Sequence, residues 1–360
     1  MTVSKSLALL LALFLLPIAA FAQDTTAALP TAPAPNTPPS YQLSNLTFEW
    51  QQWNNCGPAT ITNALSYFGY KDRQTRAADY LKPNYEDKNV SPWQMAEFVN
   101  TKVPEVPVRA KVRYGGTLDT LRLLISNNFP VIIEEGYEPE EDLGWMGHYL
   151  LITGYDDSKG IFYTYDSYLG PDKTYKYDDI MHHWKAFNYV YITLYSPVRE
   201  TDLNTLLGAD ADERENVVRS LELARSEAIA DNADAYAWFN MGSNFVMLGM
   251  FNEAAIAYDQ ARSIGLPWRM MWYQFGPFEA YNNVGRYDDV IALSQANLAD
   301  GGGQYVEETY YYGGLAREGK GEADRALVNY NNALQFNPNF TPAQNAIDAM
   351  STTQQQSGGS

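Results

Sequence analysis

Three side chains have the types that nucleophilic catalysis needs, and they follow one another as Cys56, His148 and Asp166. Cys56 is the only thiol in the chain, so it forms no internal disulfide. It stands in Asn54-Asn55-Cys56-Gly57-Pro58-Ala59-Thr60, just ahead of a helical pattern. Gly and Pro suit a sharp turn into a first helical turn. A cysteine at a helix N-terminus lies at the positive end of the macrodipole, which stabilises the nucleophilic thiolate. Taken alone, the segment fits a buried structural cysteine equally well. His148 opens the apolar strand Tyr149 to Thr153, where a polar group can face a cleft at the sheet edge. The next strand, Ile161 to Tyr165, runs into Asp166. Singly, His148 fits a structural histidine and Asp166 a turn residue. Adjacent antiparallel strands would bring the two together, with His148 as general base for the thiol. Asp166 would then fix the imidazole tautomer and stabilise its cation.

These side chains need a scaffold, and the chain offers two stretches of different grammar. From Tyr41 to about Pro197 the patterns are mixed. Gly57 to Tyr67 has helical spacing, with Ala59, Ile61, Ala64, Leu65 and Phe68 on one face. Ser91-Pro92-Trp93-Gln94 has the signature of a helix start, and Thr117 to Asn127 reads as a short helix. Val106 to Val112, Pro130 to Glu134, Tyr149 to Thr153, Ile161 to Tyr165 and Tyr189 to Leu194 make about five strands. Helices first and strands later predict an α+β layout on an antiparallel sheet.

From about Asp202 to Met350 the strand signals vanish and a repeat of about 36 residues appears. The clearest copy is Trp238, Met241, Gly242, Phe245, Gly249, Phe251, Ala254, Tyr258 and Ala261. A weak copy follows with Tyr281, Gly285, Tyr287, Val290 and Ser294. A third holds Tyr310, Gly313, Gly314, Ala326, Tyr330, Ala333 and Pro338. The pattern resembles the tetratricopeptide repeat, two antiparallel helices whose small residues let them approach and whose large ones fill the gap. Glu213 to Ala230 would precede the array and Pro342 to Met350 would cap it. An unrelated helical bundle is the alternative.

The string Trp50-Gln51-Gln52-Trp53-Asn54-Asn55-Cys56-Gly57-Pro58-Ala59-Thr60 resembles the nucleophile motif of family thirty-nine of the cysteine peptidases. These are papain-like enzymes best known for cutting bacteriocin leaders after a double glycine. The His148 and Asp166 strands match the family's second and third motifs in order. The resemblance covers residues 41–197 and implies Cys56 as nucleophile, His148 as base and Asp166 as orienting acid. It also implies an upstream Gln in the oxyanion hole, Gln51 first and Gln52 second. The family's Asp is often followed by Pro, and here Ser167 follows. The fold class expected is therefore an α+β papain-like domain followed by an all-α tetratricopeptide solenoid. Members that process bacteriocins carry transporter and ATPase domains; this chain has no phosphate-binding Gly-rich loop with Lys, so it resembles free-standing relatives joined to repeats.

The remaining signals set context. Residues 1–22 read as a cleaved secretory signal, with Lys5, an apolar stretch from Leu7 to Leu16 and Ala20-Phe21-Ala22 at the cut. Residues 23–40 read as a Pro/Ala/Thr-rich tether and 351–360 as a disordered tail. A secreted or extracytoplasmic location follows, with no membrane span once the signal is removed. The formal net charge of −18 lacks the basic footprint of a nucleic-acid binder. No metal or cofactor is expected. His182 and His183 are neighbours on a helix and point about 100° apart, a poor metal pair. The acidic run from Glu138 to Asp142 lacks the spacing of a calcium loop, and Gly301 to Gly303 reads as an inter-repeat hinge.

The expected function is a secreted cysteine peptidase acting on a peptide or amide bond through Cys56, His148, Asp166 and Gln51. The repeat groove would hold a peptide or protein partner. Two alternatives use the same residues: a catalytically idle papain-like scaffold, and an acyl transferase that passes the thioester to an amine.

Overall fold

The computed structural model describes residues 37–138 and 144–357, with side chains through residue 352. The segments read as a signal and most of the tether lie outside these residues, as does the acidic run beyond Glu138.

The N-terminal domain runs β1 (Ser40–Gln42), α1 (Cys56–Ser66), α2 (Gln74–Leu81), α3 (Pro92–Thr101), β2 (Arg109–Arg113), α4 (Leu118–Ser126), β3 (Val131–Tyr137) and β4 (Met146–Asp156). It continues through β5 (Ile161–Asp166), β6 (Gly170–Lys176), α5 (Tyr177–Trp184), β7 (Tyr191–Tyr195) and α6 (Glu200–Leu207). One sheet has the order β2-β7-β3-β4-β5-β6, with β1 on the far end of β4. Every pairing is antiparallel. Strand alternation divides the core into two layers. Ile132, Leu151, Ile192 and Leu194 face α1, α2 and α3. Ile133, Leu150 and Ile152 face α4, α5 and α6. The central strands are buried on both sides and read as apolar runs in the sequence.

The α+β antiparallel architecture matches the sequence reading, with two strands added. β6, Gly170–Lys176, is a mostly exposed edge strand rich in Lys and Asp, so it carries no apolar alternation to detect. β1 falls at the end of the segment read as a tether. Ordered chain starts before Tyr41: Tyr155 Oη donates to the Pro38 carbonyl at 2.7 Å, and the Asp157 N–H to that of Pro39 at 2.9 Å. At the helix start near Ser91, the Ser91 N–H donates to Gln94 Oε1 at 2.7 Å.

The second region is helical throughout: α7 (Glu213–Ala230), α8 (Ala235–Met247), α9 (Phe251–Ile264), α10 (Gly276–Asn283), α11 (Tyr287–Ala299), α12 (Glu307–Gly319), α13 (Ala323–Phe336) and α14 (Thr341–Ser357). The repeat glycines have a packing cause. A Cβ on Gly242 would lie 2.6 Å from the Tyr258 ring, and one on Gly314 2.5 Å from the Tyr330 ring. The weak middle copy holds Phe278 and Ser294 at the matching places, both buried. The large and small partners are exchanged there, so volume is kept while the motif fades. The last helix runs past Met350 to Ser357, so that much of the segment read as a tail is helical.

The two regions are joined by polar contacts as well as by chain. The Arg113 guanidinium donates to the carbonyls of Asp210 and Ala211, each at 2.6 Å. Asn216 exchanges two hydrogen bonds of 2.9 Å with the Tyr114 backbone. α6, placed with the repeats by the sequence boundary at residue 202, buries Leu203 and Leu207 in the N-terminal core.

Candidate active site

Cys56 is the first residue of α1 and is partly buried. A tight turn delivers it: the Asn55 N–H donates to the Gln52 carbonyl at 3.1 Å, and Asn54 takes φ 53°. Asn tolerates this left-handed conformation better than most residues. Pro58 falls within the first helical turn, where the backbone N–H has no intrahelical partner to lose. The turn is held from α2. Gln74 Oε1 accepts from the Gln52 N–H at 2.8 Å and from Asn55 Nδ2 at 3.1 Å, while Gln74 Nε2 donates to the Trp50 carbonyl at 2.6 Å. The buried Lys82 ammonium donates to Asn55 Oδ1 at 3.3 Å.

Sheet register supplies the other two groups. Asp166 stands opposite Leu150 in the β4–β5 ladder, and His148 lies two residues from Leu150 on the same side of β4. His148 and Asp166 are thus diagonal neighbours, within reach of long side chains. His148 Nε2 lies 2.9 Å from Asp166 Oδ1. The Cys56 thiol lines the same cleft as the ring and acts on it electrostatically. His148 is 4% exposed and Asp166 0%. Burial pulls the imidazole pKa down, but hydrogen bonds and charge from Asp166 and Cys56 outweigh it and raise the pKa to about 10. Burial pushes Asp166 up, and His148, the Tyr175 hydroxyl and the Leu169 N–H more than reverse this, to about 2. Asp166 also does what a turn residue does, since Oδ1 accepts the N–H groups of Tyr168 and Leu169. Glu135 stands opposite His148 in the β3–β4 ladder. Burial lifts its pKa to about 8, against the pull of His148 and with the push of Asp166, so near neutrality it is mostly uncharged.

Gln51 is fixed from its carbonyl end. Ser167 Oγ donates to Gln51 Oε1 at 2.9 Å, and the Gln51 N–H donates to the Ser167 carbonyl at 2.9 Å. The amide nitrogen is left as the donor. Gln52 also lines the cleft but is exposed. The cleft has a volume of about 620 Å³ and draws Gln51, Cys56 and His148 from the first domain and Trp272, Tyr273 and Gly302 from the repeats. The glycine run read as a hinge therefore also forms part of a wall. His182 and His183 lie elsewhere on α5, and His183 Nδ1 is 2.9 Å from the Gly136 carbonyl. Among the described residues, no group of three or more His, Cys, Asp or Glu side chains is arranged to hold a metal ion, and no helix is long and apolar enough to cross a membrane.

A thiol, an imidazole and a carboxylate thus stand together at one cleft.

Residues 36–196 match the Peptidase_C39 like family. The match spans the N-terminal domain from just before β1 to just past β7 and leaves the repeats outside it. A crystal structure of a C39-like peptidase from Bacillus anthracis is similar over 43% of this chain and 97% of its own, at 15% identity and TM-score 0.36. A MamA structure is similar over 43% of this chain and 85% of its own, at 15% identity and TM-score 0.34. YrrB, described as a TPR protein with an unusual peptide-binding site, is similar over 41% of this chain and 97% of its own, at 16% identity and TM-score 0.22. No curated protein matches the chain.

Three residues of the site carry no sequence signal. Ser167 reads only as a departure from Pro, yet it holds Gln51. Tyr175 lies on the undetected strand β6 and donates to Asp166 Oδ2 at 2.7 Å. Tyr273 falls between two repeat copies, outside the repeat pattern.

Proposed function

We infer that the protein is a thiol peptidase or closely related amide hydrolase, exported by its first 22 residues and acting on peptide substrates. The observation that carries this reading is the His148–Asp166 pair at 2.9 Å, with His148 and Cys56 lining one cleft of about 620 Å³. In acylation, His148 holds the proton of the Cys56 thiol, Cys56 Sγ attacks the amide carbon and a C–S bond forms. The C=O π pair moves onto oxygen, which the Cys56 N–H and the Gln51 amide stabilise. The tetrahedral species collapses with loss of the C–N bond, and the imidazolium gives its proton to the leaving amine. His148 then takes a proton from water, which attacks the thioester carbon; the C–S bond breaks, the acid is released and the imidazolium returns its proton to the thiolate. Repeat residues lining the same cleft support a role for the repeat domain in holding substrate.

The test is labelling of Cys56 with iodoacetamide from pH 4 to 9, beside the His148→Ala variant. Fast labelling at acid pH that the variant loses is the expected result. A wild-type rate rising only near pH 8.5, as for an unassisted thiol, overturns the reading.

A further inference from the structure

Tyr273 comes from the repeat domain, yet it sits against the backbone that carries His148. Its ring leaves no room for a side chain on Gly147: a Cβ there would lie 2.8 Å from Tyr273 Cδ1. The ring is caged edge-on by Trp145 and Phe187, with centroids 5.9 and 6.2 Å away. Tyr273 lines one cleft with Gly147, Cys56 and His148. A phenol has one proton to donate. Burial, with the charge of Cys56, holds the phenol pKa above its ordinary value, so the proton stays on. Trp272 extends the same wall and stacks over the backbone of Gly302 and Gly303; its indole lies 2.6 Å from where a Cβ on Gly303 would sit.

We propose that Tyr273 is a substrate-binding residue of the catalytic cleft, its hydroxyl donating to a backbone carbonyl oxygen of the peptide held over Cys56. The repeat domain then contributes directly to the active site. This rests on the thiol peptidase reading, and the experiment separates the two.

Two probes are compared on the full chain, wild type against Tyr273→Phe. Methyl methanethiosulfonate reports thiolate nucleophilicity and carries no carbonyl. A mixture of N-acetyl-dipeptidyl chloromethyl ketones carries the peptide carbonyls. The expected result is an unchanged rate and pH profile with the thiosulfonate, and roughly tenfold weaker ketone binding before alkylation, the scale of one lost hydrogen bond. Equal ketone binding by both proteins overturns the proposal, as does a wild type that reacts with the thiosulfonate but seats no ketone. A thiosulfonate pH profile shifted in the variant also overturns it, because Tyr273 would then act through His148. A wild type inert to the thiosulfonate at acid pH sinks the peptidase reading instead, and this proposal with it. The Phe variant keeps the ring on Gly147; if its melting temperature falls, Tyr273→Met, which fills much of the volume without a donor, takes its place.

Discussion

At the scale of single residues, the arrangement turns on which end of each side chain is already occupied. Ser167 holds the carbonyl of Gln51, and Asp166 holds one nitrogen of His148. Ser167→Ala frees the Gln51 amide to rotate, whereas Gln51→Ala removes it. Turnover should fall roughly tenfold in the first and about 10²–10³-fold in the second, the range for one lost oxyanion donor. The check is kcat for both variants against a peptide found after Cys56 labelling; equal loss would mean that Ser167 does more than orient Gln51. The His148–Asp166 pair also sets a pH window for stability. His148 has its pKa raised to about 10, so its contribution is complete below the unfolded value near 6.5 and is lost as pH rises through 10. Asp166, lowered to about 2, contributes above the unfolded value near 3.9 and loses it as pH falls through 2. Asp166→Asn should therefore cost most stability between about pH 4 and 6.5, measured as the difference in denaturation midpoint across pH. Cys56 and His148 stood out as candidates because the chain has 1 Cys and 3 His, and Asp166 because it ends the neighbouring strand. Ser167 did not, because a hydroxyl aimed at an amide leaves no pattern in sequence.

At the scale of elements, small residues decide how closely helices pack. Gly242→Ala would drive a methyl into Tyr258, which is fully buried and has no room to yield. Overpacking of this kind costs about 1–3 kcal/mol, more than the gain of up to about 1 kcal/mol from the better helix former. Gly301→Ala meets nothing within 4 Å and should be near neutral. Urea midpoints for the two variants test this, and a Gly242→Ala protein as stable as wild type would contradict the packing account. Elements with one clear period were readable: α1, α4 and the central strands lie within a few residues of their expected bounds. β6 was missed because an exposed edge strand has no apolar period. The middle repeat faded because Phe278 and Ser294 exchange volumes and so break the motif while keeping the core.

At the scale of the whole molecule, the contact between the domains includes a cluster of buried acids. Asp87 on the loop after α2 meets Glu307 and Glu308 at the start of α12, and all three are almost wholly buried. Asn89 Nδ2 donates to Glu308 at 2.9 Å and Asn337 Nδ2 to Glu307 at 2.7 Å. Lys82 and Lys88 are the cations that reach Asp87. Burial first, and then the neighbouring carboxylates, raise Asp87 and Glu308 well above the usual carboxyl range; burial raises Glu307 as well. Carboxyls with raised folded pKa values stabilise most below the unfolded value near 4, and that contribution is lost as pH rises. Thermal melts should show Glu308→Gln raising the midpoint at pH 8 by roughly 3–6 °C, with little change at pH 4. No gain at pH 8 would mean that the acids are neutralised some other way. Nothing in the sequence marks this cluster, because its members lie more than 200 residues apart.

The origin of the cleft wall also bears on how the protein is made. Cys56 and His148 leave the ribosome long before Trp272 and Tyr273, which follow Cys56 by more than 200 residues. Domains fold as they emerge, N-terminal first. During synthesis there is thus an interval in which the thiol and its base are assembled but the surface opposite them does not yet exist. Completion of the chain then supplies the second wall of the cleft.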